Sequence, residues 1–126
     1  MSKYFESNIF KTKEVKYIDD CRVLNYAECI GLITNGIVFK KFNIINKYDF
    51  DYLFLDEFFG GQIRNYTMRC LPETKEMLIT FNSYYTTQYE IHFVPKDTYI
   101  KINIISGDKR IAYVDYSVEE LEDLFM

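Results

Sequence analysis

From Thr87 to Phe93 the chain alternates strictly: Tyr89, Ile91 and Phe93 fall on one side of an extended backbone, Gln88, Glu90 and His92 on the other. Pro95-Lys96-Asp97 interrupts the run, and Ile100, Ile102 and Ile104 then resume the period of two. Ser106-Gly107-Asp108 supplies the next turn, and Ile111 to Tyr116 a further strand. Successive strand side chains point to opposite faces, so the pattern predicts an antiparallel sheet with one buried face.

The same reading extends upstream. Met77, Ile79 and Phe81 share one face of a strand from Glu76 to Asn82, which pairs with Gln62 to Leu71 around Pro72-Glu73-Thr74-Lys75. Ser83-Tyr84-Tyr85 turns the chain into the strand that begins at Thr86. Two more apolar runs, Cys29 to Thr34 and Ile37 to Phe42, flank Asn35-Gly36. Both central residues of a type I′ turn need positive φ, which Asn and Gly tolerate best, so a hairpin is expected there. Gly31 within its first strand marks a bulge or a close backbone contact. Glu14 to Ile18 alternates weakly, with Val15 and Tyr17 on one side. Residues 1–13 suit either a short amphipathic turn bearing Tyr4, Phe5 and Ile9 or an edge strand.

Two segments break the period of two. Between Asn46 and Gly61 the adjacent apolar pairs Phe54-Leu55 and Phe58-Phe59 do not alternate. They predict a short middle helix capped by Asp51, with Leu55, Phe58 and Phe59 facing inward and Gly60-Gly61 ending it. A strand through Asp49 to Phe59 is the competing reading. At the C-terminus Ser117 and Glu120 have the spacing of a capping box, and Val118, Leu121, Leu124 and Phe125 follow helical spacing. Glu119 and Glu120 suit the positive end of the helix dipole. A helix of about nine residues is too short to stand alone and must dock. The expected class is α+β: mainly an antiparallel β-meander sheet with a short C-terminal helix and a short middle helix, forming one domain over residues 1–126.

Aromatic residues make up 18% of the chain, all Tyr and Phe, which either fill a pleated sheet or leave surplus Tyr for a contact surface. The net charge of −4 argues against direct nucleic-acid binding. Its distribution says more than its sum. Asp49, Asp51, Asp56 and Glu57 form one acidic block, and Glu119, Glu120, Glu122 and Asp123 a second. Such blocks are either solvated faces or surfaces matched to a basic groove. Cys21, Cys29 and Cys70 make no close pair, and the opening Met-Ser-Lys-Tyr-Phe-Glu lacks an apolar core. No apolar run has the length of a membrane span. The expected setting is a reducing cytoplasm, with three structural thiols and no membrane contact.

Candidate chemistry is sparse. His92 is the sole histidine, so a catalytic triad or Cys-His dyad would have to pass through it; its place on the polar side of a strand points to a solvent-facing residue instead. One His and three scattered Cys do not make a zinc site. Asp49-Phe50-Asp51 opens like a calcium loop, but Leu53 and Phe54 stand where an acid and a glycine are needed, so it reads as helix-opening acid. Gly60-Gly61 is too brief for a phosphate loop. Arg64, Tyr66 and Arg69 mix cations with an aromatic, as single-strand stacking platforms do, but no broader basic surface accompanies them. No catalytic residue, metal site or cofactor is expected.

In build, though in no motif, the chain resembles the small phage or mobile-element inhibitors of host defence, anti-CRISPR proteins among them. The resemblance implies a non-enzymatic inhibitor that occludes a larger, basic, nucleic-acid-handling protein partner. The two acidic blocks, joined by Tyr84 and Tyr85, are the expected contact residues. Two other readings stay open: a small enzyme or ligand-binding barrel using carboxylates and Tyr hydroxyls, and a structural or immunity-type protein whose partner is a cognate toxin or a copy of itself.

Overall fold

The computed structural model describes residues 16–18, 21–24, 26–34, 36–61, 63–83 and 87–125. Its centre is a six-stranded antiparallel sheet in the order β3-β8-β7-β6-β5-β4. The strands are β3 (Asn43–Ile44), β4 (Ile63–Cys70), β5 (Met77–Ser83), β6 (Gln88–Pro95), β7 (Tyr99–Ser106) and β8 (Lys109–Ser117). A separate two-stranded antiparallel sheet pairs β1 (Lys16–Ile18) with β2 (Cys21–Val23). From β4 to β8 the chain is a meander, as the alternation predicts.

The inner face is built by the period of two. Ile79, Ile91, Ile104 and Ala112 lie side by side across four strands, and Phe93, Ile102 and Val114 form the next row. All seven are buried in one apolar cluster. The opposite face carries Thr80, Glu90, Asn103 and Tyr113, with Lys101 bonded to Asp115 at 2.8 Å. Leu78 on that face is buried as well.

Helices cover the inner face. The expected hairpin around Asn35-Gly36 is not formed. Its flanks are instead helical: α1 (Tyr26–Thr34) and α2 (Gly36–Phe39), with Asn35 outside the described residues. The physical reason is burial on all sides. Cys29, Ile30, Leu32 and Ile33 all enter the core, and a short continuous apolar run carries no period that separates strand from helix. Thr34 Oγ1 donates to Ile30 O at 2.9 Å, a bond that only a helical turn permits at this spacing.

The middle helix, α3, has two segments: Tyr48–Leu55, wound as a π-helix, and Asp56–Phe59, wound as an α-helix. Its start differs from the expected one. Asn46, not Asp51, caps it: Asn46 Oδ1 accepts the Asp49 N–H at 3.1 Å, and Asn46 O accepts the Phe50 N–H at 3.0 Å. Its inner face is Phe50 and Phe54, which are buried, while Phe59 is 55% exposed. It ends at Gly60, followed by Gly61 at φ +75°, the left-handed terminator that the glycine pair predicts.

The last helix, α4 (Val118–Phe125), begins with the expected capping box. Ser117 Oγ accepts the Glu120 N–H at 3.2 Å, and Glu120 Oε1 accepts the Ser117 N–H at 3.1 Å. Leu121 is fully buried and anchors the helix to the core.

Candidate interaction surface

A bulge in β8 positions the first surface. The register of β7 on β8 shifts between Ile104 and Ile105, leaving Ile111 as the extra residue. Its carbonyl accepts two N–H groups, from Ile45 at 2.9 Å and from Asn46 at 3.1 Å. That pair of hydrogen bonds pins the chain where it leaves edge strand β3 and enters α3. The Asn46 cap follows at once, so the sheet edge dictates where the helix starts and which way it faces.

Within α3, residues four apart stack on one face and residues two apart face opposite sides. The sequence Tyr48-Asp-Phe50-Asp-Tyr52-Leu-Phe54 places two Phe inward and two Tyr outward. Phe50 and Phe54 stack at a centroid distance of 5.9 Å and extend through buried Phe39 and Phe42 and partly buried Phe58 as an aromatic cluster. Tyr48 and Tyr52 lie side by side at 6.0 Å and are 62% and 64% exposed. Ile44 and Ile45, also exposed, precede them on the sheet edge.

Along the chain, carboxylates flank the two tyrosines. Asp51 bonds Lys47 at 2.6 Å and raises the pKa of its ammonium. Asp49 and Asp56 form no ion pair among the described residues. Glu57 is separated from this surface, although in sequence it adjoins Asp56. It is buried, and its Oε1 accepts the hydroxyl of fully buried Tyr89 at 3.1 Å. Its Oε2 is enclosed, without a hydrogen-bond partner among the described residues. Burial first, and then the Glu57 carboxylate, push the Tyr89 phenol well above its ordinary pKa. Glu57 is thus a buried member of the fold, not a surface acid.

The second acidic block lies on α4. Glu119 and Asp123 are exposed and Glu122 is half-buried. Glu120 has two bonded neighbours: it closes the capping box and pairs with Lys41, which lies just past α2. Lys41, followed by the Ser117 N–H, lowers the Glu120 pKa. Val38, Lys41, Tyr116, Glu120, Asp123 and Leu124 line a groove of about 240 Å³. At its floor the Tyr116 hydroxyl donates to Val38 O at 3.4 Å; burial and then Glu120 push its pKa up to about 12.

Tyr84 and Tyr85 lie outside the described residues. His92 stands on the outer face of β6 as expected, but it is not freely solvated. Its Nε2 is enclosed, has no hydrogen-bond partner among the described residues and lies 3.7 Å from Glu90 Oε1. Cys29 is a buried free thiol, whereas Cys70 is exposed.

Sequence reasoning missed Tyr48, Tyr52, Ile44, Ile45 and the groove around Lys41. The signal for the tyrosines was present: one aromatic pair spaced by four, offset by two from a second pair. Nothing in the sequence pairs Lys41 with Glu120, 79 residues away. Among the described residues no helix is long and apolar enough to cross a membrane. The chain matches no protein-family model, no curated protein and no solved structure.

Proposed function

We propose that the chain is a non-enzymatic binding protein that occludes a basic surface on a larger partner. One observation carries the reading: two adjacent exposed tyrosines, Tyr48 and Tyr52, continue an exposed Ile44-Ile45 edge and are flanked along the chain by Asp49, Asp51 and Asp56. Tyrosine gives large contact area at small entropic cost and is enriched among the residues that dominate binding energy. The carboxylates would speed encounter with a positive partner and exclude acidic ones. Surfaces built for nucleic acid have the complementary charge. A nucleic-acid-handling protein covered in this way would lose access to its substrate without any chemistry by the inhibitor.

The test uses the whole chain as bait in extracts of its natural host. The parent should retain a basic protein that is released as salt rises, since rim charges are screened. Tyr48→Ala/Tyr52→Ala should lose that protein, and Asp49→Lys/Asp56→Lys should bind it more slowly. Capture of the same protein by the double tyrosine variant, with unchanged salt dependence in the double lysine variant, would refute the reading.

A further inference from the structure

The chain's own Lys41 displays the chemistry of the groove between α2, β8 and α4. Its ammonium lies 4.7 Å from the Tyr116 ring centroid and pairs with Glu120. One cation is thus already held between an aromatic face and a carboxylate. A second carboxylate has no such partner. Asp123 follows Glu120 by three residues, on the same side of the helix, is exposed, and makes no ion pair among the described residues. Lys41, Glu120 and Asp123 together leave one uncompensated negative charge at the groove.

Size and lining narrow the occupant. The groove, about 240 Å³, falls below the roughly 300–1,000 Å³ usual for small-molecule sites. It matches a single long side chain better than a metabolite. Val38 and Leu124 offer apolar walls, and Leu124 is 39% exposed, an uncovered contact for a methylene stem.

We infer that this groove receives one arginine side chain of a protein partner. The guanidinium meets Asp123 and the stem lies along Leu124 and Val38, with Lys41 left in place on Glu120. Arginine fits better than lysine because its planar fork can give a carboxylate two parallel hydrogen bonds and is more weakly hydrated. The inference deepens the proposed function and rests on the partner being basic. The groove itself is testable without that partner.

The probe is N-acetyl-arginine amide, titrated into the isotopically labelled full chain and followed by amide resonances in two-dimensional NMR. Saturable shifts are expected at Val38, Lys41 and Leu121 to Leu124. N-acetyl-citrulline amide, which has nearly the same shape but no charge, should produce none. Asp123→Asn should weaken the arginine titration by about tenfold, the loss of one charge-assisted contact. Asp108→Asn, a change at an exposed carboxylate in the β7–β8 turn, should leave it unchanged. Absence of saturable shifts, an equal response to citrulline, or an unaltered titration in Asp123→Asn overturns the inference. Any of these would leave the tyrosine surface standing if Tyr48→Ala/Tyr52→Ala still abolishes partner capture. Arginine binding at the groove, combined with normal capture by the tyrosine variant, would overturn the proposed surface and leave the groove.

Discussion

Replacing Tyr89 by Phe tests the buried polar pair at the heart of the fold. The ring would keep its edge-to-face contact with Phe54, at 5.2 Å between centroids, so packing changes little. Only the hydroxyl is lost, and with it the one side-chain hydrogen bond that Glu57 makes among the described residues. Because Glu57 Oε2 is already enclosed and has no partner among the described residues, the variant leaves the carboxylate without one there. A hydrogen bond to a charged group is worth about 1.5–3 kcal/mol, and stranding its buried acceptor costs toward the upper end. The expected loss is therefore about 2.5 kcal/mol, or a fall of roughly 10 °C in Tm for a chain of this size. Urea unfolding followed by circular dichroism should show the midpoint falling by about 1 M. A second variant isolates the cause. Glu57→Met removes the stranded carboxylate, and in that background Tyr89→Phe should be nearly neutral, since apolar replacement of both partners is cheap. The reasoning fails if Tyr89→Phe melts with the parent, or costs the same with and without Glu57.

Alkaline pH should destabilise the fold through Tyr89 and Tyr116, whose phenols are held above the ordinary value, the latter at about 12. Above about pH 10 the unfolded chain releases protons that the folded chain retains, so stability falls as pH rises; Tyr89→Phe/Tyr116→Phe should flatten that slope in urea melts between pH 10 and 12. Glu120 works in the opposite direction: its lowered pKa gives stability that is present above the ordinary glutamate range and lost as pH falls through the folded value, and Glu120→Gln should show a shallower acid loss than the parent. Ser117→Ala should cost about 1 kcal/mol by removing the capping hydroxyl, and an equal melting temperature would deny the cap its role. In a Cys21→Ser background, Ellman's reagent should find Cys70 at once and Cys29 only after unfolding, because burial raises the Cys29 thiol pKa and hides it; fast reaction of both would contradict the placement of α1.

Where one face of an element meets the core and the other does not, local pattern was enough. The strands carrying Tyr89-Ile91-Phe93 and Ile100-Ile102-Ile104 are readable because each alternate side chain has a different fate. The Ser117–Glu120 cap is readable because both its partners lie within one turn of chain. The run from Cys29 to Ile33 defeated the same reasoning. It is apolar almost throughout, so it has no period to read, and the segments Tyr26–Thr34 and Gly36–Phe39 are helical where a hairpin was expected.

The candidate surfaces divide along the same line. Charge blocks are visible in sequence, but the phase of α3 turns Asp56 to solvent and its neighbour Glu57 to Tyr89, a choice made by packing against β6. Pairing Lys41 with Glu120 over Tyr116 needs β3 to run along β8 and α4 to fold back beside it. By itself, then, the sequence determined the α+β class, the meander order from β4 to β8, the glycine stop after the middle helix and the capped C-terminal helix, because each depends on residues a few positions apart. The tertiary structure alone decided that the apolar run beginning at Cys29 is helical, that Tyr48 and Tyr52 face outward and that a groove opens beside Asp123. Each of these depends on which surface a side chain meets, and that is set by contacts between residues far apart in the chain.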